Sequence, residues 1–186
     1  QCGFGEGLSD LKSRIAHRRA FPWRWPGYRS ARAAWADAPS RGSWKVIILD
    51  TNVLSALMRE EPEIPVIEWL DRQPAESIWI TSITVFEAHF GIALLPKGKR
   101  QRALAAAFIR LTQVDLENRV LDFDGVAAAE AAALAAIRQK AGRPVDMRDT
   151  QIAGIALARR ATLATRNVKH FQDLNVPVVD PWEAKT

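Results

Sequence analysis

A chain of 186 residues, 48% hydrophobic and 25% charged, has the make-up of one compact soluble globular domain with enough length to bury a core. Its single cysteine, Cys2, permits no internal disulfide and fits a reducing cytosol, while the lack of a long apolar run or of a signal peptide's apolar centre excludes a membrane span and argues against secretion. The net charge of +5 suggests nucleic acid until it is located: Lys12 and seven arginines face only Glu6, Asp10 and Asp37 within residues 1–44, and residues 45–186 are balanced.

Residues 1–44 also differ in kind. They hold four of the seven tryptophans and the segment Pro22-Trp23-Arg24-Trp25-Pro26-Gly27, with no clear strand. A basic, aromatic arm of this sort could stack on RNA. The abrupt change of composition at Trp44-Lys45 favours the other reading, an upstream stretch outside the domain with a natural start near Val46.

The domain proper, 45–186, opens with a β-branched run over 46–49 that reads as a buried strand, followed at once by Asp50 and a helix start. A second strand is expected over 77–81 and a helix carrying Glu87 over 84–95. Further helices are expected over 99–111, over 124–141 with Asp124 as cap and Gly142 and Pro144 as stop, and over 149–160. A weak strand falls at 120–121, and further strands are expected over 162–165 and 176–179. Strands alternating with helices predict an α/β fold, a three-layer α/β/α sandwich around a mostly parallel sheet.

In such a sheet ligands gather at the carboxyl ends of the strands, where Asp50 stands. Glu87 and Asp149 occupy comparable positions, at or near helix starts after strands. Three converging carboxylates repel unless protonated or held by a cation. Oxygen donors without a Cys or His cluster suit Mg²⁺ or Mn²⁺, and an acid-held metal serves phosphodiester hydrolysis. Singly, each acid has a plainer reading as a helix cap or salt-bridge partner. A haloacid-dehalogenase-like phosphatase would want an acid two residues after Asp50, and Asn52 stands there instead. His89, two residues beyond Glu87, faces away from it and reads as a core or surface histidine.

The segments VIILDTNVLS (46–55), ITVFEAHFGIALLPKGKR (83–100), GRPVDMRDTQIAGIALARRATLATRN (142–167) and VPVVDPWE (176–183) resemble, in order and spacing, a PIN-domain ribonuclease of the VapC type, nearest its FitB-like branch. The resemblance implies that Asp50, Glu87 and Asp149 are catalytic, metal-binding acids. It also implies that Thr51 and Asn52 support the site. The family's fourth acidic position falls on Asn167 or His170, neither acidic here. Asn167, or the extra acid Asp146, is then the candidate for a further ligand, and Asp146 also reads as a solvated loop acid. Arg166 and Lys169 lie beside the site, placed to contact RNA phosphates.

The function implied is a Mg²⁺-dependent endoribonuclease toxin of a bacterial toxin–antitoxin pair, cytoplasmic, with RNA as substrate, Mn²⁺ as alternative metal and no membrane partner. An antitoxin would cover the acidic pocket and supply contact with DNA, and the toxin would be a homodimer. The non-acidic fourth position leaves open a second function, a catalytically weak binding module that acts mainly in an antitoxin complex repressing its own operon.

Overall fold

The computed structural model describes residues 46–59 and 61–183. The 1–44 extension therefore lies outside the described residues. Five strands, β1 (Ile47–Leu49), β2 (Ile78–Thr81), β3 (Val120–Leu121), β4 (Thr162–Ala164) and β5 (Val178–Val179), form one sheet in the order β3-β2-β1-β4-β5. Every neighbouring pair is parallel. Parallel strands need crossovers, and the helices supply them: α1 (Thr51–Leu57), α2 (Ile64–Asp71), α3 (Ser82–Ala93), α4 (Lys99–Arg110), α5 (Gly125–Lys140) and α6 (Met147–Arg159).

Alternation along β1 shows the three layers. Ile47 and Leu49 join Val53, Leu54, Val66, Trp69 and Leu70 of α1 and α2 on one face. Ile48 points to the other, among Ala127 and Leu134 of α5 and Ile152 and Ile155 of α6. A strand buried on both sides is apolar throughout, which is why its sequence reads as a continuous run. No described helix is long and apolar enough to cross a membrane.

Several boundaries differ from expectation. The helix expected to open at Asp149 begins at Met147, because Asp146 takes the cap: its Oδ1 accepts from the N–H groups of Arg148 (2.9 Å) and Asp149 (3.2 Å). The helix expected from residue 84 starts at Ser82, with the Thr81 hydroxyl accepting from Thr84 N–H. The last strand shrinks to two residues because Pro177, which has no N–H, contributes only its carbonyl, to Leu163 N–H at 2.9 Å. α2 has no counterpart among the expected elements; its first turn carries Pro65, and its Val66, Trp69 and Leu70 are buried.

The α5–α6 contact fixes how closely the two helices pack. A Cβ at Gly154 would lie 2.5 Å from the Ala127 carbonyl oxygen and 2.6 Å from the Ala131 Cβ. These neighbours are backbone and a short side chain, so neither can swing aside. Only glycine permits the helices to approach this closely.

Candidate active site

β1 and β4 are adjacent at the point where the chain reverses its direction of travel across the sheet. Such a switch point opens a crevice beyond the strand ends. Asp50 leaves β1 into this crevice, its N–H still bonded to the Ala164 carbonyl of β4 at 3.0 Å. Its backbone is extended and it serves as the N-cap of α1. Oδ1 accepts from Thr51 N–H at 2.7 Å. Oδ2 accepts from Asn52 Nδ2 at 2.7 Å and from the Thr165 hydroxyl at 2.6 Å.

Asp50 is 5% exposed and none of these donors carries a charge. Burial pushes its carboxyl above the usual carboxylate range; the bonds from Thr165 and Thr51 oppose this, and the neighbouring charges of Asp149 and Glu87 add to it. That Asp149 and Glu87 both act on Asp50 places the three acids in one electrostatic neighbourhood.

Glu87, on α3, accepts from the Thr51 hydroxyl at 2.5 Å through Oε2 and pairs with Arg148 at 3.3 Å through Oε1. Thr51 thus bridges the first two acids, through its N–H to one and its hydroxyl to the other. Asp149, in the first turn of α6, meets His170 Nδ1 at 2.7 Å. Asn52 spans the crevice, donating to Asp50 and to Thr165 Oγ1 (3.0 Å) and accepting from Arg166 N–H (3.1 Å). Asn167 touches this network through its backbone, its N–H donating to Thr165 Oγ1 at 3.0 Å, and is exposed. The Arg166 guanidinium sits 5.0 Å over the Trp182 ring, and the Trp182 indole N–H donates to Glu63.

The structure therefore gathers Asp50, Glu87, Asp149, Thr51 and Asn52 at one sheet edge, with Arg166 on the rim. Asp146 is engaged in capping α6. Thr165 and Arg148 are new contributors, and His170 takes a role the sequence did not assign it. Thr165 donates to Asp50 from the end of β4, and its placement after an apolar strand, mirroring Asp50, is the signal for it in the sequence. Arg148 and His170 pair with Glu87 and Asp149, and only the fold brings them there. His89 instead sets its ring edge-on against Phe108, with centroids 5.0 Å apart. Among the described residues, no group of three or more His, Cys, Asp or Glu side chains is arranged to hold a metal ion as it stands.

The family model for the PIN domain matches residues 47–176, which runs from β1 to just short of β5. The chain belongs to the PIN-domain family. Within it, the plasmid stability protein StbB of Pseudomonas syringae pv. tomato is 42% identical, over 75% of this chain and all of its own length. The VapC ribonuclease Y4jK of Sinorhizobium fredii is 36% identical, over 74% of this chain and 99% of its own. The toxin FitB of Neisseria gonorrhoeae is 34% identical over the same shares. The crystal structure of FitAcB from that organism superposes with a TM-score of 0.65 over 74% of this chain and 99% of that one. This PIN domain thus stands with the VapC and FitB proteins, as its motifs imply.

Proposed function

We propose that this PIN domain is a metal-dependent endoribonuclease that acts as the toxin of a toxin–antitoxin pair. The observation that carries the reading is Asp50: a buried carboxylate at the sheet's switch point, bonded only to neutral donors and raised in pKa partly by two further acids. Relatives named as a VapC ribonuclease and as the toxin FitB support it. The hard oxygen donors of Asp50, Glu87 and Asp149 suit Mg²⁺ or Mn²⁺. As placed, Glu87 is ion-paired with Arg148 and Asp149 is hydrogen-bonded to His170, and these are the partners a cation would replace. Such a cation would lower the pKa of a bound water and polarise a phosphoryl oxygen.

The chain's own residues divide the remaining work. Thr165, Asn52 and Thr51 N–H hold the Asp50 carboxylate in one orientation. The Thr51 hydroxyl fixes Glu87 relative to it. One of the three carboxylates accepts the proton of the attacking water, and Arg148, released from Glu87, is placed to meet phosphate charge. On α3, Phe86 and Phe90 stack with ring centroids 5.9 Å apart and, with Leu94, form an exposed apolar stripe. Such a stripe suits a protein partner, the antitoxin or a second copy of the chain.

Purified full-length chain is expected to cleave RNA with Mg²⁺ or Mn²⁺. EDTA, or Asp50→Ala, is expected to cost roughly 10³-fold in rate, the several kcal/mol that metal-assisted catalysis supplies. Cleavage indifferent to both would overturn the reading; sedimentation of the same sample reports the dimer. The second reading, a weakly catalytic binding module, is favoured by one feature: His170 and Asn167 stand where the family resemblance implies an acid. Protein that binds an antitoxin but cleaves no RNA with either metal would establish it.

A further inference from the structure

Next to the acids lies a cavity of about 280 Å³, with Asp149 in its wall. Its size is at the small end of ligand pockets, enough for one nucleotide unit and too little for a duplex. Its floor is the Arg138–Asp173 pair. Arg138 Nε and Nη2 reach the two Asp173 oxygens at 2.9 and 2.7 Å. Nη2 also donates to the His170 carbonyl at 2.8 Å, and Nη1 to the Thr150 hydroxyl at 3.3 Å. One buried guanidinium thus ties α5, the start of α6 and the turn that carries Lys169 and His170 into a fixed wall.

Each acid of this wall has a hydrogen-bond partner, and one of them, Asp173, has a cation as well. Asp173 is held on both oxygens by Arg138, Asp146 caps α6, and Asp149 faces His170. The donors are less committed. The Lys169 ammonium has no ion pair among the described residues. Arg143, 60% exposed, reaches Asp173 only at 3.4 Å, where Arg138 has already supplied a full counter-charge. Gln172 is exposed and adds an amide. Beside Asp146, whose second oxygen and charge are unmet, Lys169, Arg143 and Gln172 set N–H donors around a nucleotide-sized hollow contiguous with a candidate catalytic acid. That array matches phosphate oxygens and, through Gln172, a base edge.

We propose that this cavity is a nucleotide subsite of the nuclease centre, in which Lys169 and Arg143 grip the phosphate of a nucleotide flanking the cleaved bond in single-stranded RNA. The proposal rests on the nuclease reading for the identity of the chain bound, and it is tested by binding without catalysis. A fluorescently labelled single-stranded RNA oligonucleotide is titrated with full-length chain in EDTA and followed by anisotropy. Lys169→Ala and Arg143→Ala are each expected to weaken binding at least 5-fold. Each should also reduce the slope of log affinity against log salt by about 0.7, the value for one single-strand phosphate contact. Lys169→Arg should bind as wild type, and Arg100→Ala, on α4 and outside the cavity, should change nothing.

All these side chains are exposed, so folding is expected to be preserved, and circular dichroism checks it. Wild-type affinity and salt slope in both alanine variants would overturn the subsite, as would wild type that binds no RNA. Weakened binding in a protein that cleaves no RNA with Mg²⁺ or Mn²⁺ would uphold the subsite and remove the nuclease reading. Intact cleavage with unchanged binding would do the reverse.

Discussion

Two carboxylates at one edge of this PIN domain are treated in opposite ways. Asp173 is gripped on both oxygens by Arg138, and that guanidinium holds its carboxyl below the usual range. Asp50 is more deeply buried and just as fully hydrogen-bonded, yet every donor around it is neutral, so burial, with the charges of Asp149 and Glu87 added, pushes its carboxyl up. Hydrogen-bond satisfaction and charge satisfaction are therefore separate properties. The Arg138 corner closes its electrostatics internally and holds the fold together. The Asp50 corner leaves them open, and a cation from outside is what would close them.

The largest effect that sharpens this contrast is metal binding to the folded chain. At a Mg²⁺ or Mn²⁺ concentration 100-fold above its Kd, the protein should gain about 2.7 kcal/mol, read as a rise in Tm by calorimetry. Asp50→Ala should abolish that rise, and a wild-type Tm indifferent to both metals would break the contrast. Next in size is Arg138→Met, which removes the internal cation. Because Asp173 keeps some contact with solvent, the cost is about 2 kcal/mol, less than for a fully buried pair, and Tm should fall by roughly 6 °C. RNA binding in that variant should weaken as well, since Arg138 anchors the turn bearing Lys169.

The smallest effect is a pH dependence with a definite sign. The folded pKa of Asp173 is depressed, so its contribution is present above the unfolded carboxylate value of about 3.9 and is lost as pH falls through the lower folded value. Solvent screening holds this to about 0.5 kcal/mol. Urea titrations between pH 5 and pH 3 should show the loss in wild type and a flatter profile in Arg138→Met. Parallel profiles would remove the pair as the cause.

The parts of the molecule legible in the sequence are those specified by short-range patterning. The run 46–49 is apolar because both of its faces are buried, and Asp124 followed by alanines reads as a capped helix because Asp124 Oδ1 does accept from Ala127 N–H. Where two neighbours compete, the pattern is ambiguous: Asp146 and Asp149 are both fit to start a helix, and the upstream one wins the cap. Short α2 has no side-chain cap and offers only Pro65 as a start signal. The contacts that complete the site are longer in range. His170 lies 21 residues from Asp149, Asp173 lies 35 from Arg138, and Thr165 lies 115 from Asp50. No periodicity encodes such pairs, so His170 reads in the sequence as a missing acid although the fold sets it against one.

The glycine at 154 has a mechanical consequence. Backbone and a methyl carbon occupy the space a Cβ at this position would need, so the seam between α5 and α6 is closer than any side chain there would allow. The seam therefore braces the two helices against each other, with Asp149 near one end and the Arg138 anchor on the adjoining arm. Adjustment to an incoming ion or nucleotide then falls on side-chain torsions at the tip and not on the frame, which makes the acidic edge a stiff jaw.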